Sequence, residues 1–106
     1  MTKETLAYEN IDREFKELYV SDIKKTVVAF ANTEGGILYI GINDAGEVVG
    51  LQNVDDVMQQ TANTLKDSIA PDVMPFVKIR AVTKECKQII EVAVQNGTSR
   101  PYYIRE

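Results

Sequence analysis

Residues 29–50 read Ala-Phe-Ala-Asn-Thr-Glu-Gly-Gly-Ile-Leu-Tyr-Ile-Gly-Ile-Asn-Asp-Ala-Gly-Glu-Val-Val-Gly. Five of the six glycines in the 106-residue chain lie in this segment. Ile37–Ile42 is apolar on both faces and rich in β-forming side chains, which is typical of a central strand covered on both sides. Just before it, Gly35 and Gly36 supply the left-handed backbone that ends a helix. The segment therefore predicts a helix end followed by a buried strand.

The residues after the predicted strand have the composition of a tight turn. Asn43 and Asp44 are side chains that form hydrogen bonds with their own backbone, and Gly46 accepts a positive φ. Glu47–Val49 then returns as a short antiparallel strand, so we predict that residues 37–49 form a hairpin. Asp44 is expected at the tip of that hairpin.

Hydrophobic periodicity predicts the other elements of the chain. Residues 13–19 alternate charged and apolar side chains, which predicts a half-buried strand with Phe15 pointing inward. Apolar residues at helical spacing predict a helix over residues 22–33, with Ser21 as its N-cap. A second helix is predicted from residue 53 or 54 through Ile69, and Pro71 ends it. Strands are predicted at residues 76–82 and 88–94, joined by a turn at 83–87, and a last strand begins at Pro101.

This order of elements predicts an α+β fold in which two helices pack on a mixed, mostly antiparallel sheet. The length fits a single domain over residues 1–106. Because the sequence ends within a predicted strand, we expect the chain to be the N-terminal fragment of a longer protein.

Composition excludes several classes of site. The chain has no histidine and one cysteine, which excludes zinc sites built from histidine and cysteine and also histidine-dependent triads. The lone Cys86 excludes an internal disulfide and fits a reducing compartment, so we expect a cytoplasmic protein. No apolar run approaches the roughly 20 residues of a membrane span, and no membrane partner is expected.

The glycines invite a comparison with nucleotide-binding loops. A phosphate loop requires Gly-x-x-x-x-Gly-Lys followed by Ser or Thr. Gly36 and Gly41 have the first spacing, but Ile42 and Asn43 follow them. The dinucleotide fingerprint is also missing, since here the glycines follow a helix and precede a strand. We therefore interpret the glycines as shaping the backbone and do not expect ATP binding.

Three acidic residues form a candidate metal site: Glu9, Glu14 and Asp44. Three carboxylates that converge can hold a divalent cation and activate water on a phosphodiester. The alternative is that they are unrelated exposed acids, since the chain contains 16 Asp and Glu residues. Spacing along the chain does not decide between these interpretations.

Basic residues suggest a nucleic-acid surface, although the net charge is −4. Residues 29–72 carry one basic and seven acidic side chains, whereas residues 73–106 carry six basic and three acidic ones. A basic face can exist on an acidic protein, while ordinary solvated lysines would explain the same pattern. The candidate contacts with nucleic acid are Lys16, Lys24, Lys25, Lys78 and Arg80.

Three motifs in order resemble a known family. They are Glu9-Asn10-x-x-x-Glu14-Phe15-Lys16, Ala29-Phe30-Ala31-Asn32-Thr33-x-Gly35-Gly36, and Ile40-Gly41-Ile42-x-Asp44-x-Gly46-x-Val48-x-Gly50. Together they resemble the Schlafen-type Alba-like domain, once labelled a divergent AAA domain. The resemblance spans nearly the whole chain. Asn10 stands where the family pattern has Ser.

The resemblance implies a nucleic-acid-binding domain, with DNA as the main partner, at the N-terminus of a transcriptional regulator. It implies no cofactor for binding, and a homodimer is plausible because Alba-like domains often pair. The alternative is a metal-dependent endoribonuclease that acts on structured RNA with Mg²⁺ or Mn²⁺. In that case the family's catalytic acids map onto Glu9, Glu14 and Asp44, and Lys16 maps onto the motif lysine that would contact a phosphate.

Overall fold

The computed structural model describes residues 13–105, and the fold is a four-stranded sheet with two helices on one face. The order in the sheet is β1-β2-β5-β4, with β1 parallel to β2 and the other pairs antiparallel. This confirms the predicted α+β fold. The elements are β1 (Arg13–Lys16), α1 (Ile23–Ala31), β2 (Gly36–Ile40), α2 (Val54–Ser68), β3 (Ile69–Ala70), a short 3-10 helix (Met74–Phe76), β4 (Val77–Lys84), β5 (Lys87–Val94) and β6 (Tyr103–Ile104).

The central strand β2 is covered on both faces, as its apolar sequence predicts. Leu38 and Ile40 are fully buried against the helices, in a core that also contains Leu65 of α2. Tyr39 points to the other face, which we call the open face, and packs there with Phe15 in a second apolar cluster. The sheet therefore has a large core on its helix face and a small one on its open face.

Of the two glycines predicted to end helix α1, Gly35 has the left-handed backbone, whereas Gly36 does not and begins β2. The Gly35 N–H donates to the carbonyl oxygen of Phe30 over 2.9 Å, and Gly35 has φ +88°. This is the six-to-one bond of a left-handed helix end. The predicted cap at the other end is wrong, because the N-cap is Asp22 and no side chain forms a capping hydrogen bond there.

The predicted hairpin over residues 37–49 is wrong as a pair of strands. Only one bridge forms, between Ile42 and Val48, and the rest of Glu47–Val49 is a loop. The reason is that both edges of β2 are already paired, one with β1 and the other with β5. Gly41 has φ +110° and turns the chain off the sheet, so that the following loop folds over the open face and adds Ile42 to the cluster there.

Three other boundaries differ from the sequence predictions. Helix α2 ends at Ser68, and Ile69 instead begins β3, which pairs with β6 in a separate two-stranded sheet. The C-terminal strand is correspondingly short. The turn between β4 and β5 contains only Glu85 and Cys86, both with positive φ, as a type I′ turn requires. The usual Asn-Gly signal for that turn is missing from the sequence, so its tightness could not be predicted.

Candidate functional site

The site is built on a β1–α1–β2 unit. Because β1 and β2 are parallel, their carboxyl ends lie at the same end of the sheet. Helix α1 begins nearby, since Val20, which lines the groove at this place, accepts a hydrogen bond from the Ile23 N–H. The Lys16 carbonyl oxygen accepts hydrogen bonds from Gly41 N at 2.7 Å and from Ile42 N at 3.3 Å. These bonds fix the end of β1 against the loop that follows β2. In sheets with this connection, ligands bind beyond the carboxyl ends of the strands.

An open groove of about 740 Å³ lies at this place, and we call it the β1 cleft. It contains the candidate acids Glu14 and Asp44 and the candidate cation Lys16. Glu14 Oε2 lies 3.6 Å from Lys16 Nζ, and both side chains are partly exposed. A partly exposed ion pair of this kind contributes about 0–1 kcal/mol and can exchange partners at little cost. The other lining residues are Phe15, Glu17, Leu18 and Val20.

Asn43 builds the loop that presents Asp44. Its Oδ1 accepts hydrogen bonds from the backbone N–H groups of Ala45 at 3.0 Å and Glu47 at 2.9 Å. Its Nδ2 donates to Glu47 Oε1 at 2.9 Å. The side chain of Asn43 therefore holds the turn together from inside, and the exposed Asp44 lies at its apex. This is the Asx-turn chemistry that the sequence predicts.

The structure brings two of the three predicted carboxylates to one cleft, Glu14 from β1 and Asp44 from the loop after β2. Glu9 lies outside the described residues. Within residues 13–105 no group of three or more acidic or cysteine side chains is arranged to hold a metal ion. The two acids of the cleft could therefore serve as metal ligands only together with a further donor, so the metal site stays a prediction.

The five candidate cations are divided between the two edges of the sheet. Lys16 lines the β1 cleft, while Lys24 and Lys25 lie in the first turn of α1, near the same end. Lys25 Nζ is 3.8 Å from Asp22 Oδ1, an exposed pair. Lys78 and Arg80 lie on β4, which is the opposite edge strand. They do not belong to the surface around the cleft.

A row of polar side chains that the sequence does not predict crosses the open face. Tyr39 Oη donates to Glu91 Oε2 at 3.4 Å and accepts from Arg13 Nη1 at 3.5 Å. Glu91 Oε1 accepts from both Nε and Nη2 of Arg80 at 2.7 Å. Burial and the nearby carboxylate of Glu91 raise the pKa of Tyr39, while Arg13 opposes the shift. Only the strand register brings these four residues together, so no local signal predicted the row.

Comparison with known families agrees with the motifs. The family model described as Schlafen, AlbA_2 matches residues 3–106. The chain belongs to this family. The match to the Schlafen, AlbA_2 domain confirms the resemblance drawn from the three motifs. Comparison with curated protein sequences finds no significant match.

Two solved structures share the fold of this Schlafen, AlbA_2 domain. One is the N-terminal domain of a DNA helicase RecG-related protein from Nitrosomonas europaea, with TM-score 0.70, 22% identity, and coverage of 99% of this chain and 74% of that one. The other is the DIP2311 protein from Corynebacterium diphtheriae, with TM-score 0.61 and 19% identity. That alignment covers 95% of this chain and 20% of the other. Among the described residues, no helix is long and apolar enough to cross a membrane.

Proposed function

We propose that this domain binds nucleic acid, with DNA as its main partner, at the β1 cleft and the adjoining first turn of α1. The observation that carries the proposal is that Lys16, at the end of β1, lines the β1 cleft, while Lys24 and Lys25 lie in the first turn of α1, the next element of the chain. The N-terminus of α1 adds partial positive charge there, although its N-cap Asp22 offsets part of that charge. The Schlafen, AlbA_2 family and the name of the RecG-related neighbour support the same function.

The charge of the cleft decides where the phosphates would lie. Among the described residues, its lining contains Glu14, Glu17 and Asp44 and one cation, Lys16. Phosphates are repelled by such a surface unless a divalent cation intervenes. In the proposed mode of binding, the phosphates therefore contact the side chains of Lys16, Lys24 and Lys25 and stay away from the acidic side chains of the cleft.

Titration of a fluorescent DNA duplex at 50–200 mM salt tests this mode of binding. Three phosphate contacts predict a slope of log affinity against log salt near −2.7, or roughly a 40-fold loss of affinity over that range. Lys16→Gln should reduce the slope by about 0.9 and the loss to roughly 12-fold. Lys78→Gln is the matched control, because Lys78 lies on the opposite edge strand. Affinity that does not depend on salt, or equal effects of both substitutions, would contradict the proposal.

A metal-dependent endoribonuclease is the second candidate, favoured by the presence of Glu14 and Asp44 in one cleft. Glu9, Glu14 and Asp44 would hold Mg²⁺ or Mn²⁺, which would activate water and offset the negative charge of the cleft. Incubation of tRNA with the protein and Mn²⁺ should give cleavage that Glu14→Gln abolishes. Glu34→Gln, at an exposed position in the turn before β2, is the control. Equal cleavage by the two variants would exclude this site.

The family resemblance also suggests a larger protein to which the domain belongs and an oligomeric state. We propose that it is the N-terminal part of a cytoplasmic transcriptional regulator and that it forms a homodimer. Neither DNA binding nor dimerisation would require ATP or another cofactor. Light scattering of the purified chain tests the dimer, since the mass of a monomer at high concentration would contradict it.

A further inference from the structure

Strand β4 leaves one of its edges open. It is eight residues long (Val77–Lys84), it stands last in the sheet order β1-β2-β5-β4, and within residues 13–105 it pairs only with β5. Long exposed edges of this kind pair readily with other extended chains. The feature is independent of the β1 cleft, which lies beside the opposite edge strand.

The strand register shows which backbone groups face outward. The two-residue turn makes Lys84 and Lys87 a hydrogen-bonded pair, and hydrogen-bonded positions then alternate along an antiparallel ladder. Just beyond the ladder, the Gln95 N–H donates to the Phe76 carbonyl at 2.8 Å, which fits the same alternation. The outward N–H and C=O groups therefore belong to Val77, Ile79, Ala81 and Thr83.

The Val77 N–H donates to the carbonyl oxygen of Met74 at the end of the 3-10 helix. The outward N–H groups of Ile79, Ala81 and Thr83 have no backbone partner within residues 13–105, where β4 forms backbone ladder bonds only with β5. Helix α2 contacts β4 but does not cover its whole length, because Ala81 and Thr83 are exposed. The half of the edge near the turn is thus accessible to another strand.

The side chains on the open face of β4 give the edge a charge. Lys78, Arg80 and Lys84 alternate there and are all exposed. Arg80 is paired with Glu91, whose side chain is only 16% exposed. In the described part of the chain, neither Lys78 nor Lys84 has an ion pair. The edge therefore combines unused backbone groups with two unpaired cations.

We propose that the free edge of β4 binds an extended acidic segment of another protein as a fifth strand of the sheet. Addition of a strand to an exposed edge is a common mode of peptide recognition, in which main-chain bonds give affinity and side chains give specificity. Acidic side chains on the added strand would lie beside Lys78 and Lys84. Opposite charges across a strand pair stabilise it, and like charges destabilise it.

The same charges disfavour two other occupants. In a symmetric antiparallel pair of two copies centred on Ala81, Lys78 of each copy would face Lys84 of the other, which places like charges together twice. A nucleic acid would meet outward carbonyl oxygens between the N–H groups, and those oxygens repel phosphates. An acidic peptide satisfies both kinds of backbone group.

Amide hydrogen exchange with a model peptide tests the proposal. The probe is the capped peptide Thr-Glu-Val-Glu-Thr-Glu-Val, and the control peptide carries Lys in place of Glu. We expect the acidic peptide to slow exchange at Ile79, Ala81 and Thr83, whose N–H groups face outward, and the basic peptide to leave them unchanged. The amide of Val82 should stay protected throughout, since it bonds to β5.

Two variants distinguish loss of peptide binding at the β4 edge from loss of folding. The double substitution Lys78→Glu and Lys84→Glu leaves the backbone intact and should weaken binding of the acidic peptide about fivefold or more. Ala81→Pro removes an outward donor and should abolish protection while the Val82 amide stays protected. Three results would overturn the proposal: no protection by the acidic peptide at millimolar concentration, protection that grows with protein concentration alone, or protection by a single-stranded oligonucleotide instead.

Discussion

The geometry of the loop that carries Asp44 should depend on the side chain of Asn43. Asn43→Ala removes two side-chain-to-backbone hydrogen bonds, of 3.0 and 2.9 Å, and one bond to Glu47 Oε1. A hydrogen bond contributes about 0.5–1.5 kcal/mol net. Ala45 and Glu47 are exposed and their freed N–H groups can bond to water, so we take about 0.5 kcal/mol for each backbone bond, at the lower end of that range. The exposed bond between side chains adds little.

The expected loss of stability is therefore about 1 kcal/mol, which corresponds to a Tm lower by about 4–8 °C for a domain of this size. The backbone bonds Asn43 N to Glu47 O and Gly46 N to Asn43 O remain, so the loop should loosen without unfolding. Calorimetry gives the Tm, and amide exchange at Ala45 and Glu47 reports the loop itself. Asp44→Asn is the control and should change Tm by less than about 2 °C, because Asp44 is exposed. If Asn43→Ala left both Tm and the exchange of these two amides unchanged, the argument for this loop would be refuted.

Three further predictions concern the core and the open face. Gly36→Val should cost about 1–3 kcal/mol in a urea titration, since a Cβ there would lie 2.6 Å from the buried ring of Phe30; a midpoint equal to that of the wild type would contradict the packing. Leu38→Ala should cost about 2–5 kcal/mol because its side chain is fully buried, and Leu18→Ala, at a site 63% exposed, should stay within about 0.5 kcal/mol. The raised pKa of Tyr39 means that the unfolded chain loses this proton first, so the free energy of unfolding should fall as pH rises above about 10. Tyr39→Phe should reduce the dependence of the unfolding free energy on pH in urea titrations at pH 9–11. The same dependence in the wild type and the variant would contradict a raised pKa of Tyr39.

The elements that the sequence predicted correctly are those with a local cause. Ile37–Ile40 is apolar on both sides because both of its faces are covered. The end of α1 depends on a hydrogen bond between Gly35 and Phe30, which are only five residues apart. The strand at Phe15 is predicted by the alternation of charged and apolar side chains around it. Each of these features can be recognised from a few neighbouring residues.

The features that the sequence could not predict depend on partners distant along the chain. Val48 and Val49 are strand-forming residues, but both edges of β2 are already paired, one with β1 and the other with β5. The meeting of Glu14 and Asp44 at one cleft follows from the parallel pairing of β1 and β2, which no spacing reveals. For those two residues the family motifs supplied what periodicity could not.

Mapping a bound DNA duplex on the chain by amide chemical shifts tests the central proposal most directly. If nucleic acid binds at the β1 cleft, the largest shifts should fall in Glu14–Leu18, in the first turn of α1 at Lys24 and Lys25, and in the loop around Asp44. Shifts confined to β4, at Lys78 and Arg80, with the cleft unchanged, would contradict it.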